Sequence, residues 1–209
     1  ENSIYKPWCH WYPKFYENGS RRLQLSDIPA GTRIFLRGGT YTERLRFPSD
    51  LVFSGTASAP IVIQSYANEP VIFDKTGIYG SDQDGIRVEG GHSYINIIGP
   101  IEFKNYENCM ESNRNVTKRG WVIDNINAHD CGRGLLIRNF DGFTLQNSEV
   151  HHTYAQSNAL GVGLSDNTTN ALIKNVISHH NDDHSGADGD GDGIWANTTV
   201  GTLTIQDVI

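Results

Sequence analysis

One short pattern returns along the chain: apolar, any residue, apolar, polar, then Asn or Asp. It opens Trp121-Val-Ile-Asp-Asn-Ile-Asn-Ala-His-Asp130, Phe143-Thr-Leu-Gln-Asn-Ser-Glu-Val-His-His152, Ala171-Leu-Ile-Lys-Asn-Val-Ile-Ser-His-His180 and Leu203-Thr-Ile-Gln-Asp-Val-Ile209. Ile101-Glu-Phe-Lys-Asn105 aligns as a fifth copy. One column then reads Asn105, Asn125, Asn147, Asn175 and Asp207, at spacings of 20, 22, 28 and 32 residues. Gly134-Leu-Leu-Ile-Arg-Asn139, Gly161-Val-Gly-Leu-Ser-Asp166 and Asp192-Gly-Ile-Trp-Ala-Asn197 lie between the copies and give a second column, Asn139, Asp166, Asn197.

A repeat of this kind constrains the fold strongly. A single turn of a solenoid cannot bury its own apolar face, whereas stacked turns share a continuous core. Apolar residues two apart face one side of a strand, and the residue between them faces the other. Asn tolerates a left-handed corner, and stacked Asn amides hydrogen-bond along a column. Neither a 3.6-residue period nor a Leu-x-x-Leu-x-Leu frame is present. The pattern predicts an all-β, parallel β-helix of about seven coils over residues 27–209, a rod of ~35 Å. Residues 1–26 include Trp8-Cys-His-Trp-Tyr-Pro-Lys-Phe-Tyr16 and are expected to form an aromatic cap. The C-terminal end carries no visible cap, so the natural protein is expected to continue, or another chain to cover or stack on that end.

Composition agrees where it bears on the choice. Among 209 residues there are 22 Gly and 18 Asn. Such a chain favours short strands joined by tight turns over a helix bundle. No apolar run approaches the roughly 20 residues of a membrane span. Residues 140–209 hold nine acidic side chains and one basic one, Lys174. That imbalance disfavours nucleic acid and favours a cation as partner. Three cysteines, Cys9, Cys109 and Cys131, permit at most one internal pair. N-x-S/T sequons begin at Asn18, Asn115, Asn167 and Asn197.

The drift in repeat length places the insertions after each His, at 131–133, 153–160 and 181–191. Insertions on one edge of a solenoid commonly build its binding face. The last one is acidic: Asp182, Asp183, Asp188, Asp190 and Asp192, without Lys or Arg. Five carboxylates so close repel one another unless a cation intervenes. Calcium takes six to eight oxygens, and four interspersed glycines supply a pliant loop. Asp188-Gly-Asp-Gly-Asp-Gly193 matches the opening of an EF-hand loop, but Thr199 stands where Glu is needed and no helix pattern flanks it. These five aspartates are therefore the expected Ca2+ ligands, outside an EF-hand.

Other residues suggest roles beside that loop. His129, His151 and His179 form a column, either a stacked solenoid edge or a proton-transfer or sugar-binding stripe; His151 and His179 are the substrate-binding candidates within it. His184, inside the loop, is a candidate ligand or base. Lys174 is a candidate base, Arg138 a candidate clamp for an anionic sugar, and Arg133 a further substrate contact. Paired carboxylates among Asp182, Asp183 and Asp188 also permit glycoside hydrolysis.

Ala30-Gly-Thr-Arg-Ile-Phe-Leu-Arg-Gly-Gly-Thr-Tyr41, Ser54-Gly-Thr-Ala-Ser-Ala-Pro-Ile-Val-Ile-Gln-Ser-Tyr66 and Pro70-Val-Ile-Phe-Asp74 resemble the first coils of the right-handed parallel β-helix proteins of the pectate-lyase-like superfamily. Asp84-Gly-Ile-Arg-Val88 and Tyr94-Ile-Asn-Ile-Ile-Gly99 continue the likeness, which covers residues 27–209. Family 9 pectate lyases are the nearest functional analogy. Ala187-Asp-Gly-Asp-Gly-Asp-Gly-Ile-Trp195 resembles their first calcium segment, with Asp188 or Asp192 as the matching Asp. Their catalytic Lys lies on a later coil and has no counterpart in this stretch. The resemblance implies a secreted, calcium-dependent enzyme that cleaves a uronic-acid-containing polysaccharide by β-elimination. A non-catalytic carbohydrate-binding or structural surface protein and a glycoside hydrolase are the alternatives.

Overall fold

The structure is a computed structural model that describes residues 28–50, 52–76, 84–154, 159–182, 191–197 and 201–209. The N-terminal aromatic segment, Cys9 and most of the acidic loop lie outside the described residues. The chain winds as a parallel β-solenoid. Its first circuit comprises β1 (Arg33–Leu36), β2 (Gly39–Tyr41) and β3 (Leu45–Phe47), and its second β4 (Ile61–Ser65), β5 (Val71–Asp74) and β6 (Asp84–Val88). From the third circuit onward the first two segments fuse into one bent strand. β7 (Ile95–Lys104) leads to β8 (Asn108–Ser112), and β9 (Lys118–His129) to β10 (Arg133–Arg138). β11 (Phe140–Thr153) leads to β12 (Leu160–Ser165), β13 (Ala171–Asn181) to β14 (Asp192–Ala196), and β15 (Leu203–Val208) follows.

Every circuit lays its strands beside those of the one before. One sheet follows the order β1-β4-β7-β9-β11-β13-β15, with β2 and β5 on its flank; the other runs β14-β12-β10-β8-β6-β3. Among the described residues the second sheet has six strands, so the coil count there is slightly below the expected seven. No helix among the described residues is long and apolar enough to cross a membrane.

Stacking turns the sequence pattern into columns. Ile34, Ile63, Ile97, Ile123, Leu145, Ile173 and Ile205 follow one another in register through the first sheet. Leu45, Ile86, Met110, Leu135, Val162 and Ile194 do the same in the second. Both columns contribute to a single hydrophobic cluster between the sheets. Residues facing outward from one sheet therefore point away from the other. Cys109 and Cys131 form a disulfide across two circuits, with Cα atoms 5.8 Å apart. This is the one internal pair that the cysteine count permits.

The bend within β9, β11 and β13 sits at the Asn corner. Asn125, Asn147 and Asn175 have φ of 57°, 50° and 50°, and Asp207 has 52°. Ordinary L-residues resist this left-handed conformation by roughly 1–2 kcal/mol. The amide of Asn175 donates to Asn147 Oδ1 at 2.8 Å, and that of Asn147 donates to Asp124 Oδ1 at 2.8 Å. In the second column Asn139 and Asp166 are left-handed as well. β14 aligns Ala196 with Leu164, which leaves Asn197 one position short of Asp166.

Asn105 does not belong to the first corner column. Register pairs Ile101 with Ile126 and Lys104 with His129, so Asn105 stacks beside Asp130, His152 and His180, which share its left-handed φ. In the column of Asn125 its circuit has Gly99–Pro100, a cis peptide at a shift in register. The misalignment has a physical reason. Both limbs of the bent strand bury alternate residues and end in a left-handed corner, so both satisfy the same apolar–x–apolar–polar–Asn/Asp pattern.

The corner geometry yields a test. Asn147→Ala should lower stability by about 1–2 kcal/mol through left-handed strain and the lost ladder bonds. Asn147→Gly should cost less, because glycine adopts this backbone without strain. Equilibrium urea unfolding of the two variants checks the order.

Candidate functional site

The long connections fall on one edge, between the ends of β9, β11 and β13 and the starts of β10, β12 and β14. Asp182 and Asp192 stand at the two ends of the last of them. The Asp182 backbone N–H donates to the Thr153 carbonyl (2.9 Å) and that of Asp192 to the Ala159 carbonyl (3.3 Å). Asp182 is exposed and Asp192 half-buried. Asp183, His184, Asp188 and Asp190 lie outside the described residues. Among the described residues no group of three or more His, Cys, Asp or Glu side chains is arranged to hold a metal. The two described aspartates flank the connection.

The outer face of the second sheet carries a chain of alternating charge. Arg46 pairs with Glu89 at 2.8 Å. Arg87 meets Asp84 at 3.1 Å and also pairs with Glu111. Arg138 pairs with Glu111 at 2.6 Å and approaches Asp166 at 3.8 Å. Arg138 is thus engaged with two carboxylates. Arg133 opens β10 on the connection edge, aligned with Asn108. Lys174 is exposed on the first sheet, in register with Gln146 and Gln206. The core separates its outer face from that of Arg138, so the structure does not bring these two together.

The His column is a stack. Rings of His129 and His151 lie 4.9 Å apart at 4°, and those of His151 and His179 lie 5.0 Å apart at 1°. Each imidazole reaches one circuit back through Nε2. His129 meets Glu102 at 3.2 Å, His151 meets Asn127 at 3.1 Å, and His179 meets Glu149 at 2.8 Å. Their Nδ1 atoms face Asp130, His152 and His180 of the same circuit. Burial, followed by the neighbouring His129, pushes His151 below the ordinary imidazole value. The His179 contact holds the Glu149 carboxyl below its usual range. Burial alone would raise Glu102, but Lys104 at 2.7 Å and His129 outweigh it and hold it low as well.

Beside this stack runs a groove of about 420 Å³. Its floor includes the outward column Ile72, Glu102, Asn127, Glu149, Ile177, one residue per circuit. Asn125, Asn147 and Asn175 form its opposite rim. This column varies in residue type and is less conspicuous in the sequence than the His column. The signal was the residue two before each His, since positions i and i+2 share a strand face.

Two buried ionisable groups also escaped sequence reading. Lys118 is fully buried, and its Nζ donates to the carbonyls of Asn113 and Arg138, the latter at 2.9 Å. Burial lowers its ammonium to about 8. His92 is fully buried; its Nε2 lies 2.9 Å from the Pro48 carbonyl, and the Phe53 amide donates to its Nδ1 at 3.3 Å. Trp121 Nε1 donates to the His92 carbonyl at 2.7 Å. These contacts tie neighbouring circuits together and leave both ionisable groups inside the fold.

Comparison with known proteins adds one relative. A 65-residue stretch is 42% identical to pectate lyase PEL9 of Emericella nidulans. The match spans 31% of this chain and 15% of that protein. No family profile matches the chain, and no solved structure matches it significantly. Together the match and the parallel solenoid fit a pectate-lyase-like β-helix.

Burial of His92 sets a pH dependence. Its folded pKa lies below the 6.5 of a free imidazole because burial disfavours the cation. Below that value the unfolded chain binds the extra proton, so stability falls as pH drops from 6.5 through the folded pKa. His92→Gln should flatten this slope relative to the parent in thermal unfolding across pH 4–7.

Proposed function

We propose that the chain acts on a polysaccharide, as a calcium-dependent lyase that cleaves a uronic-acid-containing glycan by β-elimination outside the cell. The observation that carries this reading is the likeness to a pectate lyase on a pectate-lyase-like β-helix. The disulfide supports an oxidising compartment. The acidic connection between β13 and β14 is the calcium site in this reading, held by Asp182, Asp183, Asp188, Asp190 and Asp192.

β-Elimination needs a base at the carbon next to the uronate carboxylate and a positive charge to stabilise the carbanion that develops. Calcium supplies that charge when bound. His184, within the same connection, is the candidate base, and Arg133 at the edge of β10 the candidate contact for an anionic sugar. Lys174, exposed on the outer face of the first sheet, is a second candidate base. Arg138 serves through its ion pair with Glu111, which braces the second sheet beside the edge.

The test is ultraviolet absorbance of unsaturated product from polygalacturonate, with calcium and then with chelator. Signal is expected only with calcium. Asp192→Asn should weaken calcium binding by on the order of 10- to 100-fold in titration calorimetry and lower turnover in step. Turnover that survives complete chelation would overturn the calcium role. Saturated products would indicate a hydrolase. A folded protein with no product on any polyuronate would favour a binding or structural role.

A further inference from the structure

The groove on the outer face of the bent strands is lined by neither Asp182 nor Asp192. Its column repeats one residue per circuit, at a spacing of about 4.8 Å. An extended glycan advances by a comparable distance per sugar, so a chain lying along the solenoid would meet each rung with one ring. Glu102, Asn127 and Glu149 occupy three successive rungs, with Ile72 and Ile177 on the rungs beyond. Carboxylates accept hydrogen bonds from sugar hydroxyls, and amides both donate and accept them. The isoleucines suit the apolar C–H faces of the rings; Ile177 is 41% exposed on the described surface.

Charge selects among sugars. Glu102 is balanced by Lys104 at 2.7 Å, whereas Glu149 meets the His179 imidazole and, among the described residues, no Lys or Arg. A polyuronate would bring further carboxylates against it. A neutral sugar meets no such repulsion. The two glutamates are two rungs apart, about 10 Å. That separation lies just beyond the roughly 6.5–9.5 Å of an inverting hydrolase, which also needs one carboxyl kept protonated as the acid. Contacts to Lys104, His129 and His179 favour the ionised form of both. The arrangement therefore fits binding rather than hydrolysis.

We infer that the column Ile72, Glu102, Asn127, Glu149, Ile177 forms a binding groove for a neutral oligosaccharide, distinct from the site proposed for polyuronate cleavage. In a molecule that acts on an acidic polysaccharide, this groove would hold a neutral chain and keep the protein on mixed glycan material.

Titration calorimetry of the full chain at neutral pH with chelator tests the inference. The probes are xylotetraose, cellotetraose and β-1,4-galactotetraose, compared with tetragalacturonate. At least one neutral probe should bind, and tetragalacturonate should bind at least about tenfold more weakly. Ile177→Arg and Glu149→Gln, both at solvent-accessible positions, should each weaken the neutral probe by about tenfold or more. Gln206→Ala, on a different outward column, should leave its affinity unchanged. The inference is overturned if no neutral probe binds, if tetragalacturonate binds as tightly, or if neither groove variant has an effect. Cleavage of polyuronate is measured separately, so loss of that activity and loss of groove binding are distinguishable.

Discussion

The fold depends on keeping a left-handed corner at the same place in successive circuits. Parallel strands hydrogen-bond in register, and an in-register stack places each rung position above its equivalent. A corner moved by one residue would turn the next limb's buried side chains outward. Asn125, Asn147 and Asn175 hold the corner with a residue that tolerates the backbone and can also bond its neighbours. Where Gly99–Pro100 replaces Asn, the ladder shifts register between Ile98 and Ile101 and then resumes. The aliphatic columns on either side persist through that irregularity, so core packing carries the stack across it.

Stacking also determines how chemistry is distributed. A residue type repeated at one position becomes a line of side chains along the rod. This is how three imidazoles come to lie nearly parallel, each reaching back to the previous circuit. The same geometry lines up Arg87, Glu111 and Arg138 into an ion-pair chain on the other sheet. Because one core lies between the sheets, outward columns on different sheets act separately. Lys174 and Arg138 illustrate the point: both are basic and both face outward, yet they serve different surfaces. The connection between β13 and β14 leaves the strands at an edge, and the groove lies on the face beside the Asn corner.

Much of this was legible in sequence. Alternation, Asn corners and drifting insertions located the strands and the connection edge, because each reflects a strict backbone requirement. The assignment of Asn105 failed because two limbs of one strand obey the same pattern. Only register, which depends on hydrogen bonding between circuits, separates them. Glu102, Asn127 and Glu149 were not singled out because they differ in type along their column. Their significance comes from sharing a face with the histidines and from lying against the Asn rim. Lys118 and His92 were equally hidden. Lys is rarely buried without partners, and the carbonyls that receive its ammonium belong to residues 5 and 20 positions away.

The central claim is that acidic glycan meets the connection edge and leaves the groove free. Chemical-shift mapping by NMR with calcium and trigalacturonate tests it directly. The account predicts shifts at Thr153, Ala159, Asp182 and Asp192, with Glu102, Asn127 and Glu149 unmoved. Shifts centred on the Glu102–Asn127–Glu149 column, or none on the connection edge, would contradict it.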